Sequence, residues 1–380
     1  MAHMRRTALA AALFLLAACT GSPTATPTTS TSRTATVTPA ATASPAPPVA
    51  TVCTSQIPAG DQLALVVLAK GSPVVVRDIT DIAHPITRCT FAGGAYYRFV
   101  DATHVSYIVS DTSGRSALYV VDLSNSSNRL VRSWSNQGSL YWVYAFSPDG
   151  NTLTYLSSNG DKVAWHLLSA SGDVTLSDLG SIPGRDADPN NDDAMVGFSA
   201  DGKYVAIEQT FSHTASAPGI VRLSDHKLVY SRTDGTMATW ASTGATLYYR
   251  TTSGVLSWDA TVGSRILVPQ GFRWIHPWTS ADGLRIAYVD ADSNGYHYPG
   301  YVQTADGQAI RVSTRPRIGA AFLTPTLMWY AEEAICSGAN AVCGLGEPKL
   351  TGKTYIYDVV ARTESVSIIT AFFDSWPHSV

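Results

Sequence analysis

Charge is scarce in this sequence. Charged residues make up 14% of its 380 positions, against roughly 25% in an average globular chain. Lys and Arg form no basic stripe, and phosphate-backbone affinity needs them clustered, so nucleic acid is not an expected partner. Beyond residue 18 no apolar run reaches the 18 or more residues of a membrane-spanning helix. Catalytic signatures are missing as well: there is no Gly-x-Ser-x-Gly elbow, no His-Glu-x-x-His pair and no phosphate loop. Cysteines number only five. What is plentiful is glycine (29), tyrosine (18) and tryptophan (9), the usage of many short strands joined by tight turns. Hydrophobic residues at 45% are enough to fill one large all-β core.

The first twenty residues stand apart. Arg5 and Arg6 precede an apolar run over 8–18 that ends in small residues, the order of a secretory signal and too short to span a bilayer. Leu16-Ala17-Ala18-Cys19 resembles the bacterial lipobox, which implies cleavage before Cys19 and attachment of acyl chains such as palmitate to it. An ordinary signal cut near Ala18 is the alternative. Two or more chains hold firmly, at about 0.8 kcal/mol per buried methylene. The mature protein is then expected outside the cytoplasm, anchored to the cell membrane by lipid. Residues 20–50 are almost entirely Thr, Ser, Ala and Pro, with Arg33 the single charge. Such a stretch has too little apolar surface to offset its ordering entropy. Residues 19–50 therefore read as a lipidated cysteine and a disordered linker reaching roughly 30 Å as a coil. The domain is expected over 51–380.

With Cys19 assigned to lipid, Cys53, Cys89, Cys336 and Cys343 remain, an even number that reads as disulfides outside the cytoplasm. Cys336 and Cys343 are close in sequence and are expected to pair locally, leaving Cys53 for Cys89. A zinc site is the competing reading, without a Cys-x-x-Cys or a nearby histidine in its favour.

The body repeats. Phe146-Ser147-Pro148-Asp149-Gly150, Phe198-Ser199-Ala200-Asp201-Gly202 and Trp278-Thr279-Ser280-Ala281-Asp282-Gly283 each precede an alternating strand. Degenerate copies begin at Ile57, Phe99, Trp240 and Phe322, giving a period of about 44 residues with about four strand-like segments. Asp-Gly supplies the positive φ of a tight hairpin, and the aromatic before it can fill the space between neighbouring units. These motifs resemble the TolB-type propeller repeat of extracytoplasmic proteins. Leu118-Tyr119-Val120-Val121-Asp122-Leu123 and Tyr355-Ile356-Tyr357-Asp358-Val359 match its second half. The resemblance covers about residues 57–370 and implies an all-β propeller of four-stranded blades. Seven units are counted, with six as the alternative. The first unit has three good strands (62–69, 73–80 and 85–91) but a poor innermost one. The aromatic segment 371–376 looks like the missing strand. A bridge needs Cα atoms within about 7 Å, so if Cys53 bonds Cys89 on the outermost strand, the segment around Cys53 is not expected to be the innermost one.

Fold alone does not give function. Two acidic stretches have alternating oxygen ligands: Asp290, Asp292 and Asn294, with Gly295 as the turn glycine of a calcium loop, and Asp186, Asp188, Asn190, Asp192 and Asp193. Calcium is the one possible cofactor; solvated turns are the plainer reading. His104 and His166 fall in strand patterns and read as structural. If strands are lettered A to D outward, the Ser-x-Asp-Gly turns join A to B on one face. The long segments 181–194, 208–219, 290–300 and 332–353 then share the opposite face. That face gathers the acidic stretches, His213, Tyr296, His297, Tyr298, Glu332 and Glu333, and is the expected ligand-binding surface. The leading expectation is a non-catalytic binding or scaffolding lipoprotein of the cell envelope, with an envelope protein or glycan as ligand. The alternative is an extracellular hydrolase of glycans or peptides using acidic residues such as Asp290 or Glu332.

Overall fold

A computed structural model describes residues 46–377 apart from 55–56, 135–142, 160–161, 177–194, 209–218, 233, 270–274, 294 and 336–349. Among the described residues there is no helix, and the strands form seven antiparallel sheets. Six sheets are consecutive four-stranded blades, from Ala95–Asp101 outward to Ser127–Trp134 in blade two through to Arg317–Phe322 and Thr363–Ser367 in blade seven.

Blade one is assembled from both ends of the domain. Its innermost strand is the C-terminal Ala371–Trp376, which pairs with Leu63–Val67 in the register Leu63↔Trp376. Val74–Asp78 and Ile86–Phe91 complete the four, and Thr51–Cys53 adds a fifth, outermost strand. Cys53 lies directly opposite Cys89 in that pairing and is disulfide-bonded to it, Cα to Cα 4.1 Å. Residues 46–50, ahead of the first strand, also contact the blades. Ala46 is fully buried against blade two, where Tyr119 Oη donates to its carbonyl at 2.5 Å, and Ala50 O accepts the Ala92 N–H.

The repeat motif folds identically wherever it is complete. In blade three the Gly150 N–H closes a turn on Ser147 O at 2.8 Å, Ser147 Oγ donates to Asp149 at 2.5 Å and accepts the Thr152 N–H at 2.9 Å. Ser199, Asp201 and Gly202, and Ser280, Asp282 and Gly283, repeat these bonds. The three glycines sit at φ of +69°, +68° and +70°, where an L side chain is strained. The serine thus caps both the turn and the next strand, and the aspartate holds the serine.

The apolar core is divided into seven clusters among the described residues, and every one straddles two adjacent blades. Phe198, Trp240 and Phe322 fill these seams at 6%, 2% and 0% exposure. Trp240 lies against Gly197 of the preceding blade and donates its indole N–H to Gly197 O at 2.8 Å. A side chain at Gly197 would meet that ring, since a Cβ there lies 3.2 Å from it. Tyrosines of the second strands carry the same logic outward. Tyr107, Tyr155, Tyr249 and Tyr330 donate to Asn128, Asp173, Ser264 and Glu364, each the second residue of its blade's outermost strand. Burial pushes Tyr107 and Tyr249 up to about 12, so these hydroxyls stay donors.

Trp240→Ala should empty a seam and leave Gly197 O without its donor. An unfolding free energy lower by about 3–5 kcal/mol is expected in denaturant titration. The turns also predict an acid response. The Ser147 hydroxyl and the Asn151 N–H hold Asp149 below the usual carboxylate value of 3.8. Burial opposes this at Asp201, but the Ser199 hydroxyl and the Lys203 N–H outweigh it and its carboxyl also sits low. A depressed folded pKa means fewer protons bound when folded, so the stabilisation is present above the unfolded value and lost as pH falls through the folded one. The double variant Asp149→Asn/Asp201→Asn should therefore lose less melting temperature than the parent between about pH 4 and about pH 2.

Candidate functional site

The two blades that hold most of the described candidate residues meet at the end of their second and third strands. In blade six, Arg285–Ala291 and His297–Gln303 pair as far as Ala291↔His297. The segment 290–300, expected as a long loop, is thus mostly a hairpin turning over 292–296. It is closed by the Asp292 N–H on Tyr296 O at 2.9 Å and by Gly295 at φ +81°. The periodicity of His297-Tyr298-Pro299-Gly300-Tyr301 was hidden by its proline and glycine. The carboxylates face protein donors. Asp292 accepts the Tyr296 N–H at 3.0 Å and the Tyr298 hydroxyl at 3.2 Å. Asp290 pairs with Arg311 at 3.1 Å, and the Arg311 guanidinium lies 4.6 Å from the Tyr298 ring centre.

Blade seven contributes the partner of His297. Glu333, 7% exposed, accepts the His297 N–H at 2.9 Å and lies 3.2 Å from its ring Nδ1. Its neighbour Glu332 bonds the Thr351 hydroxyl at 2.7 Å, the Tyr355 hydroxyl at 3.1 Å and the buried Arg317 at 3.2 Å. The Thr351 hydroxyl leads in holding the Glu332 carboxyl below its ordinary value, with Tyr355 and Arg317 adding to it. These residues form a clasp between blades six and seven. Among the described residues no group of three or more His, Cys, Asp or Glu side chains could hold a metal ion. The oxygens of Asp290 and Asp292 face Tyr296, Tyr298 and Arg311. Asn294, Asp186, Asp188, Asp192, Asp193, His213, Cys336, Cys343 and Cys19 lie outside the described residues.

Removing Glu333 leaves the part-buried backbone N–H of His297 without its acceptor, whereas Asp290 belongs to a pair at the solvent edge. Glu333→Ala should cost about 1–3 kcal/mol of stability and Asp290→Ala less than about 1 kcal/mol, as read by thermal or chemical unfolding.

A different place on the molecule has the geometry of a binding site. A cavity of about 440 Å³ runs along the propeller axis and is lined by the innermost strands of blades one to six. Its walls are aromatic or small: Phe146, Phe198, Trp240, Trp278, Phe373 and Trp376, interspersed with alanines and Gly197. Pro148, Ala200, Ser242 and Ala281 place its mouth at the Ser-x-Asp-Gly turns, opposite the expected ligand face. Two charged residues line it, Arg98 and Asp374. Asp374 is 6% exposed and accepts the Phe99 N–H at 2.7 Å, tying blade one to blade two. Arg98 is exposed; its Nη1 donates to Tyr144 O at 2.8 Å and its guanidinium lies 5.3 Å from the Tyr144 ring centre. Burial pushes Tyr144 up to about 12, against the pull of Arg98, and its hydroxyl donates to Tyr96 O at 2.7 Å. The repeat motif points to this cavity only in part. Phe146 and Trp278 read as seam fillers, but both remain half-buried and open to the axis.

No protein-family model matches the chain, and no curated protein matches it. Solved structures do. One from a structural and mechanistic study of two prolyl endopeptidases aligns with a TM-score of 0.54 at 10% identity, over 84% of this chain and 50% of that one. Prolyl oligopeptidase B from Galerina marginata aligns at 0.50 and 12% identity, over 81% and 48%. TolB from Acinetobacter baumannii aligns at 0.47 and 16% identity, over 83% of this chain and 66% of its own. The chain thus spans about half the length of both peptidases and 66% of TolB. At such identities the likeness is one of fold. This chain is a seven-bladed β-propeller.

Proposed function

We propose that this protein is an extracytoplasmic lipoprotein, anchored to the outer side of a cell membrane through Cys19, whose propeller is a non-catalytic binding and scaffolding head. The axial cavity is where it takes its ligand, a portion of an envelope protein or glycan. The observation that carries this reading is the cavity itself. It falls within the 300–1,000 Å³ typical of ligand sites, has mostly apolar walls, and holds few polar groups. Its one carboxylate, Asp374, is already engaged by a backbone N–H, whereas glycoside hydrolysis works with two. Asp290 and Glu332, the carboxylates a hydrolase would use, are each paired with an arginine, which favours binding over turnover. The Cys53–Cys89 disulfide supports an oxidising compartment. The linker that follows Cys19 would hold the head clear of the membrane surface.

Metabolic labelling with palmitate tests the anchor. The parent chain should be labelled and sediment with membranes, and Cys19→Ser should be unlabelled and released. Label retained by Cys19→Ser would end the lipoprotein reading, and turnover of glycan or peptide substrates by the purified head would replace binding with catalysis.

A further inference from the structure

The cavity has two unlike sides. Blades one and two supply both of its charged residues, Arg98 and Asp374, while blades three to six supply Ala145, Phe146, Phe198, Trp240 and Trp278 with no charge among their lining residues. A ligand that fills it is therefore amphipathic. The charge on offer is positive. Asp374 is buried, and its carboxylate accepts the N–H groups of Phe99 and Ser375 at 2.7 and 2.8 Å. Arg98 is exposed between the buried Tyr97 and Phe99. One nitrogen is fixed on Tyr144 O and the guanidinium is held over the Tyr144 ring, so the group is oriented before any ligand arrives. Among the described residues its Nε and Nη2 have no acceptor. That is the edge of a guanidinium that matches a carboxylate with two parallel hydrogen bonds.

Resting on the axial cavity as the binding site, we infer that its ligand is a carboxylate borne on an apolar or aromatic group, and that Arg98 is the residue that selects it. The carboxylate docks on Arg98 at the wall of blade two. Its apolar part lies toward the uncharged wall of Phe146 and Trp278. Phe373, exposed on blade one beside the ring of Tyr97, closes the near side. The carboxylate could terminate a peptide or belong to a free aromatic acid; both present the same chemistry to Arg98.

Trp240, Trp278 and Trp376 line the cavity, so intrinsic fluorescence reports its occupancy. N-acetyl-Ala-Phe and 3-phenylpropionate are titrated into the intact domain beside their amides. Both acids should bind at least about tenfold tighter than their amides. Tighter binding by the peptide acid assigns the site to a chain terminus, and equal binding assigns it to a small acid. Arg98→Gln should abolish the acid preference while leaving the affinity for the amides unchanged, and Phe373→Ala should weaken acid and amide alike. Binding with no preference for the acids, or a preference that survives Arg98→Gln, overturns the role of Arg98 while leaving the cavity as the binding site. If no probe perturbs fluorescence or melting at millimolar concentration, the axial site itself falls.

Discussion

Every blade depends on its neighbours, because a four-stranded sheet of alternating residues is apolar on both faces and can bury neither alone. The seven clusters make this concrete. Leu63, Leu65 and Phe91 of blade one pack with Tyr97, Phe99 and Tyr107 of blade two, and Ala64, Val66 and Val75 pack with Leu323 and Trp329 of blade seven. A linear stack would leave two such faces in water, and at about 25 cal/mol per Å² that exposure is the largest single cost the fold avoids. Closure of the ring is therefore the constraint on which the rest hangs. It is made by one strand, Ala371–Trp376, whose Phe372 enters the seam with blade seven and whose Asp374 caps the Phe99 N–H of blade two. The same strand brings Phe373 and Trp376 to the axis, so the element that closes the fold also builds the cavity.

The innermost strands are shaped by crowding at that axis. Registers slip within this strand in blades one, two, five, six and seven. In blades two, five and seven the slip contains a residue in the left-handed region: Tyr96, Met237 and Gly319, at φ of +54°, +54° and +77°. Each lies three residues before its seam aromatic, Phe99, Trp240 or Phe322. A bulge bends the strand and re-aims the side chains that follow it. Two of the three positions hold a non-glycine residue at a cost of roughly 1–2 kcal/mol, which the surrounding seams offset. Arg98, two residues beyond Tyr96, is exposed to the axis between two buried aromatics as a result.

What the sequence made legible was local chemistry repeated in register. Ser-x-Asp-Gly was readable because its bonds close within six residues, and repetition of Phe146, Phe198 and Trp240 at blade spacing gave the ring its size. The closing strand was readable as a leftover, since 371–376 had no unit of its own. Pairing of distant elements was less legible. The fifth strand Thr51–Cys53 and the burial of Ala46 continue a stretch whose composition argues for disorder; contacts with Tyr119, Ala92 and the strand Ile86–Phe91, all distant in sequence, hold it in place. His297 and Glu333 were expected on one face for their loops; they meet because strands of two blades converge, at a distance of 36 residues along the chain.

The cavity was the least legible feature, for a physical reason. It has no contiguous signature, only two or three residues from each of six innermost strands, and several of those residues serve the seams as well. An aromatic at this position has two surfaces to satisfy. Phe322 and Trp240 spend nearly all of theirs between blades, while Trp278 and Phe146 do not. Loop length points to the opposite face. The short, serine-capped turns fix the ends of strands that surround an axis, and a rigid mouth is what a preorganised guanidinium needs.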